Sequence, residues 1–426
     1  MKQLTWAVTH LALLTALRQN KTQNLTWVTL VILTEVIHML IFTSLSLLVF
    51  FVYYEAVLIP LTLLISRNGS GNNRFRAAHL FFIFTLGGSA PIILATLYLL
   101  HISGDGMGIE GNWGSAFVLS INSPEILTLW IAYAISFAIK TPLYPFVLWL
   151  TSAHTEAPLE GSILLAGVVL KLAIFGVTSI LIALFWEGGL VMIPFNLALS
   201  LTTLILSSLA ILQQVDLKSF VALSSVAHMA LGTIGLLVLS EEGLGGAWVL
   251  SLAHGLVSPC LFLIIGGVLY QTLSTRLLYP LRGLSSALPL ISGLILLTLL
   301  INMGLPPFAN WVSEVLVLTG IAQNFKLLAS GAATSIVFGT LYTFWYFNHI
   351  SQGTWSPVLR TIRDVSNTEL SCIAYLVFIP LLLGVKGEGI TGTLDLGSWT
   401  VLSRNLHANC PKYWYYSFLD STIFFL

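Results

Sequence analysis

Six side chains able to carry a proton lie inside or beside stretches that are otherwise apolar. Glu55 sits in "LLVFFVYYEAVLIPLTLLI", Lys140 in "SFAIKTPLYPFVLWL" and Lys171 in "ILLAGVVLKLAIFGV". His228 ("SSVAHMALG"), His254 ("SLAHGLVSP") and Glu314, just beyond "GLPPFANW", complete the set. Burial disfavours the charged form of an acid or an amine, and a nearby opposite charge restores it. A buried lysine balanced between a glutamate and an apolar wall can therefore exchange its proton when the partner moves. Histidine does so with little tuning. The chemistry on offer is proton transfer.

Other readings of these residues are structural. An ionised side chain at a bilayer centre costs about 2.5–3.5 kcal/mol, so four such residues left unpaired would cost about 10–14 kcal/mol. Lys140 and Lys171 lie about eight residues or more from the ends of their stretches, about 12 Å along a helix, which is deep for an amine that merely reaches back to water. Glu314 follows a break and could instead favour the start of a half-helix. His228 and His254 could be packing imidazoles. Glu35 and His38 share the second stretch and stay outside the set.

The elements that must position these groups follow from composition. The chain has 426 residues, 57% of them hydrophobic and 8% charged, whereas soluble domains average about 25% charged. Runs of about 20 apolar residues match the bilayer core. The expectation is an all-α polytopic membrane protein of about twelve transmembrane helices, from 4–18 to 369–384. Zero net charge argues against a nucleic-acid surface. The three cysteines, Cys260, Cys372 and Cys410, form no C-x-x-C pair and suggest neither a metal nor a disulfide framework. "GMGIEG" at 106–111 matches G-x-G-x-x-G in form only, since no strand precedes it. The start resembles a secretory leader but lacks a cleavage motif, and no Arg-rich transit peptide is present, so an organellar origin would mean organellar encoding.

Charge distribution predicts orientation. With alternating spans, Arg18, Lys21, Arg67, Arg74, Arg76, Lys218, Arg276, Arg282, Arg360 and Arg363 fall on one side. Asp105, Glu110, Glu187, Glu241, Glu242 and Lys326 fall on the other. By the positive-inside rule the basic loops face the cytoplasm or matrix, with both termini opposite. The aromatic tail within 385–426 suits an interface.

Two spans are interrupted in corresponding fashion, by "KTPLYP" at 140–145 and "GLPPFANWVSE" at 304–314. Proline removes a backbone donor, and in a membrane the freed groups are tolerated only against protein or a wet cavity. A pair of broken spans, one per half, points to an inverted repeat with a site near the midplane. The expected division is 1–24, a short helix and loop; 25–185 and 189–350, two five-helix halves; and 351–426, a last helix and tail.

These residues also carry a resemblance. "KTPLYPFVLWLTSAHTEAPLEGSILLAGVVLKLAIFGV" (140–177) resembles the central signature of subunit 4 of the respiratory NADH dehydrogenases, the antiporter-like subunits of complex I. "YYEAVLIP", "QQVDLKSFVALSSVAHMALG", "AHGLVSPCLF" and "NMGLPPFANWVSEVLVL" match further blocks in the same order. The resemblance implies two inverted five-helix repeats. It implies that Glu55 pairs with the pumping Lys140, that Lys171 links the halves, that His228 and His254 serve the second half, and that Glu314 is the exit acid.

It also implies a proton-translocating subunit of NADH:ubiquinone oxidoreductase in the mitochondrial inner membrane. Its partners would be other membrane-arm subunits, especially neighbouring antiporter-like ones, and membrane lipids, with no nucleic acid. NADH, FMN, iron–sulfur clusters and ubiquinone would reside on other subunits, with no cofactor or metal on this chain. A multisubunit cation/proton antiporter subunit is the alternative. Departures from the family pattern are Val147, Thr151, Ser152 and Glu160, together with a start that corresponds to the relatives' third helix.

Overall fold

Each apolar stretch expected to be a helix is helical. The computed structural model describes residues 1–18, 25–44, 46–69, 71–103, 123–273, 275–353 and 364–385. "GMGIEG", Lys21, Asp105, Glu110, Arg360, Arg363, Cys410 and the aromatic tail lie outside the described residues.

In chain order the helices are α1 (Lys2–Arg18), α2 (Leu25–Ile41), α3 (Leu47–Ala56), α4 (Leu58–Asn68) and α5 (Arg74–Ser103). The first broken helix consists of α6 (Ser123–Lys140) and α7 (Leu148–Glu156). Four long spans follow: α8 (Leu159–Phe185), α9 (Val191–Ile211), α10 (Leu217–Leu237) and α11 (Glu241–Leu269). The 286–322 stretch is divided into α12 (Pro289–Asn302) and α13 (Ala309–Asn324), and α14 (Lys326–Ser351) and α15 (Asn367–Val385) close the series. Among the described residues eight helices, α3 and α4 counting as one, are long and apolar enough to cross a membrane. Their starts carry local signals: Ser46, Asp216 and Ser240 each accept a hydrogen bond from a first-turn amide.

The mid-span charges Lys140, Lys171 and Glu314 are inside and large apolar side chains outside, as a bilayer solvent requires. α10 is buried along its whole length, and α8 and α11 nearly so. On the peripheral helices large apolar side chains point outward: Leu94 on α5 is 70% exposed, Phe195 on α9 65% and Leu327 on α14 84%. Small residues let the inner helices approach. A Cβ on Gly320 of α13 would lie 2.4 Å from the Gly243 amide of α11, so a side chain there would force the two helices apart.

Both breaks occur where proline predicts them. After α6 the freed backbone groups find side-chain partners: Trp149 Nε1 donates to the Ile139 carbonyl at 2.9 Å, and the Tyr144 amide donates to Thr203 Oγ1 at 2.9 Å. The loop is thereby satisfied inside protein. Three wide π-helical turns, Leu165–Val169, Val177–Ile182 and Leu263–Leu269, interrupt α8 and α11. Such turns recur at functional sites, and no sequence pattern announces them.

Candidate functional site: a buried line of titratable side chains

Lys140 is the last residue of α6 and is only 2% exposed. Its amine donates to the Tyr54 carbonyl at 3.1 Å and lies 3.4 Å from the centroid of the Tyr54 ring. A helix C-terminus, a carbonyl and an aromatic face all favour a cation. Glu55, next along α3, has both carboxylate oxygens buried, with the Ser89 hydroxyl beside them. Among the described residues no direct ion pair joins Glu55 to Lys140. The lysine instead contacts the residue before the glutamate, and the two charges act on one another through space.

Lys171 lies in α8 between two π turns and is fully buried. Its amine reaches back five residues to the Ala166 carbonyl, which lies in the first of those turns. It also lies 2.8 Å from His254 Nδ1. His254, on α11, stands 5.5 Å from His228 on α10, ring centre to ring centre, with the planes tilted by 46°. His228 Nδ1 in turn lies 3.5 Å from Glu314 Oε1. Lys171, His254, His228 and Glu314 thus form one succession across α8, α11, α10 and α13.

Glu314 is 6% exposed and falls beyond the first turn of α13, so it does not cap that helix. Its carboxylate approaches Gly304 in the break. The Gly304 φ is +87°, and a Cβ there would come within 2.6 Å of Glu314 Oε2, so the position suits glycine on both counts. A cavity of about 20 Å³ adjoins His228, Asn302, Glu314 and Tyr342, room for a single water.

The structure adds groups that sequence reading missed. Lys218, assigned by pattern to a basic loop, is 2% exposed and donates to the Ala157 carbonyl at 3.0 Å. His154 on α7 is fully buried, stacked on Phe262 at 4.6 Å, with neither ring nitrogen hydrogen-bonded. The charges of Lys218 and Lys171 both act on it. Nearby, Arg276 Nε meets Asp216 Oδ2 at 2.6 Å and Arg276 Nη2 meets Glu156 Oε1 at 3.4 Å. Burial pushes the Asp216 carboxyl up from the ordinary aspartate range, and the Arg276 guanidinium pulls it back. The missed signal lies in two segments, "TSAHTEAP" and "QQVDLK", which read as loops because each adjoins a break or a stretch end. Among the described residues no group of three or more His, Cys, Asp or Glu is arranged to hold a metal ion.

A polytopic helical membrane protein with two proline-broken helices and a buried succession of titratable side chains is the class these observations define. The sequence matches the family described as NADH:quinone oxidoreductase/Mrp antiporter, transmembrane, over residues 44–339. NADH-ubiquinone oxidoreductase chain 4 of Mycosarcoma maydis is 37% identical over 382 residues, which are 90% of this chain and 78% of that one. The protein of the same name from Arabidopsis thaliana is 38% identical over 360 residues, 84% of this chain and 70% of its own. Among solved structures, a chain of respiratory complex I from Thermus thermophilus with bound NADH has a TM-score of 0.83 at 26% identity, covering 94% of this chain and 82% of that chain. The Mrp complex of a Dietzia species shares the fold, with a TM-score of 0.79 at 18% identity over 97% of this chain and 83% of that chain. The chain belongs to the NADH:quinone oxidoreductase/Mrp antiporter family and, within it, groups with the chain 4 subunits of NADH-ubiquinone oxidoreductase.

Proposed function

We propose that this chain is a proton-translocating membrane-arm subunit of complex I, in the mitochondrial inner membrane, and that Glu55, Lys140, Lys171, His254, His228 and Glu314 carry the protons. The observation that supports this most is the succession Lys171, His254, His228 and Glu314, in which each group lies near the next across four different helices. Such a succession has a physical use in hydrocarbon only if its members pair or exchange protons. Electron transfer among NADH, FMN, iron–sulfur clusters and ubiquinone belongs to other subunits. It acts here through the electric field that it changes.

Each transfer is local. Lys171 gives a proton to His254 Nδ1, leaving a neutral amine, and the imidazolium then releases a proton toward His228. His228 Nδ1 donates to Glu314, whose neutral carboxyl faces the small cavity. Lys140 and Glu55 repeat the acid–amine relation in the first half, with Tyr54 holding the amine in place. Lys218 and His154, flanked by the Arg276–Asp216–Glu156 cluster, form a second approach to Lys171. In this reading the basic loops face the matrix, and neighbouring antiporter-like subunits and lipid cover the outer apolar faces.

The test is proton uptake by inner-membrane vesicles oxidising NADH, with the complex identified on a native gel by in-gel NADH dehydrogenase staining. Lys140→Met is expected to assemble and to lower proton uptake per NADH by about tenfold or more, since a positioned acid–base group contributes roughly 10²–10⁴ in rate. Wild-type uptake in that variant would overturn the assignment.

A further inference from the structure

The first helix precedes both expected five-helix halves, yet it touches one helix of each. On α1, Leu4, Val8, Leu11 and Ala12 are buried while Trp6 and Leu14 are half-exposed, so one stripe of the helix faces protein. Leu4 and Val8 stand one turn apart on that stripe. Val8 packs on Gly167, in the first π turn of α8, where a Cβ would lie 2.6 Å from Val8 Cγ1 and 2.9 Å from Cγ2. Leu4 packs on Gly255 of α11, where a Cβ would lie 2.8 Å from Leu4 Cδ2 and 3.1 Å from the Gly167 carbonyl oxygen. Glycine at both positions lets three helices meet at one point.

Those two glycines are chain neighbours of the two groups that hold the Lys171 amine. Ala166, whose carbonyl accepts from Lys171 Nζ, precedes Gly167. His254, whose Nδ1 lies 2.8 Å from the same amine, precedes Gly255. Apolar side chains of α1 therefore press on the backbone directly beside both partners. The π turn departs from the regular helical ladder, the Leu170 amide bonding to the Leu165 carbonyl five residues back. Where the Ala166 carbonyl stands thus depends on what packs against that turn.

We propose that α1 is a wedge that sets the distance between Lys171 and His254, with Val8 and Leu4 as positioning residues. Val8 fixes the turn that carries the Ala166 carbonyl, and Leu4 fixes the α11 backbone beside His254. Neither side chain carries a proton. What they supply is geometry, because an amine and an imidazole exchange a proton only within hydrogen-bond reach or across one water. A close-packed interior passes on a displacement of even one methyl group. One helix touches both backbones, so displacing it alters both contacts of the amine together.

The inference rests on Lys171 carrying pumped protons, and the test separates the two. Gly167→Ala drives a methyl group against Val8, and Val8→Ala removes both γ carbons that it would strike. The double variant has room again. Each is measured in the intact complex, as proton uptake per NADH oxidised, beside Lys171→Met. Gly167→Ala is expected to assemble and to pump about tenfold less or lower, since a misplacement of about 1 Å can cost about 10²-fold. Val8→Ala, which leaves the turn unbraced, should lose less. The double variant should regain most of the uptake that Gly167→Ala loses, the non-additivity expected of groups in contact. Wild-type uptake per NADH in Gly167→Ala, or no recovery in the double variant, overturns the proposal and leaves α1 as packing alone. If Gly167→Ala does not assemble, Val8→Ala decides, and wild-type uptake in it overturns the proposal. If neither single variant assembles, α1 serves folding and the proposal likewise falls. If Lys171→Met pumps normally, the proton role of Lys171 falls and the wedge with it.

Discussion

The two broken helices apply one backbone device to charges of opposite sign. At the first, Lys140 ends α6, where free carbonyls and the negative end of the helix dipole favour a cation by about 0.3–1 kcal/mol. At the second, Glu314 lies past the first turn of α13, where the dipole has largely faded, so its neighbours hold it instead. Those neighbours are His228 at 3.5 Å and the turn at Gly304. The first site packs against the Tyr54 ring, and the second adjoins a cavity of about 20 Å³. Proline makes a gap, and the residues packed against the gap decide which charge it suits and whether water reaches it.

Glu314→Gln is the strongest further challenge to that comparison. The substitution keeps the shape and removes the proton, and uptake per NADH is expected to fall by about tenfold or more on the same acid–base scale. Undiminished uptake would make the second break a passive turn. A smaller effect is expected from Gly304→Ala. The left-handed backbone costs about 1–2 kcal/mol for a residue with a Cβ, and the 2.6 Å approach to Glu314 adds to it. The assembled complex should lose activity at a lower temperature in a heat-inactivation series. Gly293→Ala, in open space on α12, should move the same temperature slightly upward, since alanine favours a helix interior by about 0.5–1 kcal/mol. Equal shifts for the two glycines would remove any special role for the 304 turn. The smallest effect concerns the first break. Thr151 of α7 hydrogen-bonds only to the Leu148 carbonyl one turn back, at 3.2 Å. Thr151→Val should leave pumping unchanged and stability within about 0.5 kcal/mol, and a measurable loss would show that Thr151 itself takes part in the chemistry.

Much of this arrangement was legible in the chain. Pro142, Pro145, Pro306 and Pro307 mark the breaks because a missing amide hydrogen is a property of the residue itself. Lys140, Lys171 and Glu55 stand out because charge in an apolar run is costly whatever surrounds it. Lys218 and His154 were not legible for the complementary reason. Each lies near the end of a stretch, where a polar residue usually meets water. Only the covering by Ala157 and Tyr270 in one case, and by Phe262 in the other, takes them out of it. In the structure Lys140 uses the Tyr54 carbonyl and ring, while Glu55 acts on it through space rather than by a direct ion pair.

Residue chemistry read over a few helical turns fixes the fold class, the positions of the breaks and the burial of the mid-span charges Lys140 and Lys171. Only the tertiary structure decided which of those charges meet. Lys171 and His254 are 83 residues apart and come within 2.8 Å, while His228 and Glu314 come within 3.5 Å across two different helices. Proton transfer works only over hydrogen-bond distances or across one bridging water. At that range partners are set by how the helices pack, through contacts such as Gly320 against Gly243, and no local pattern in the chain encodes such a contact.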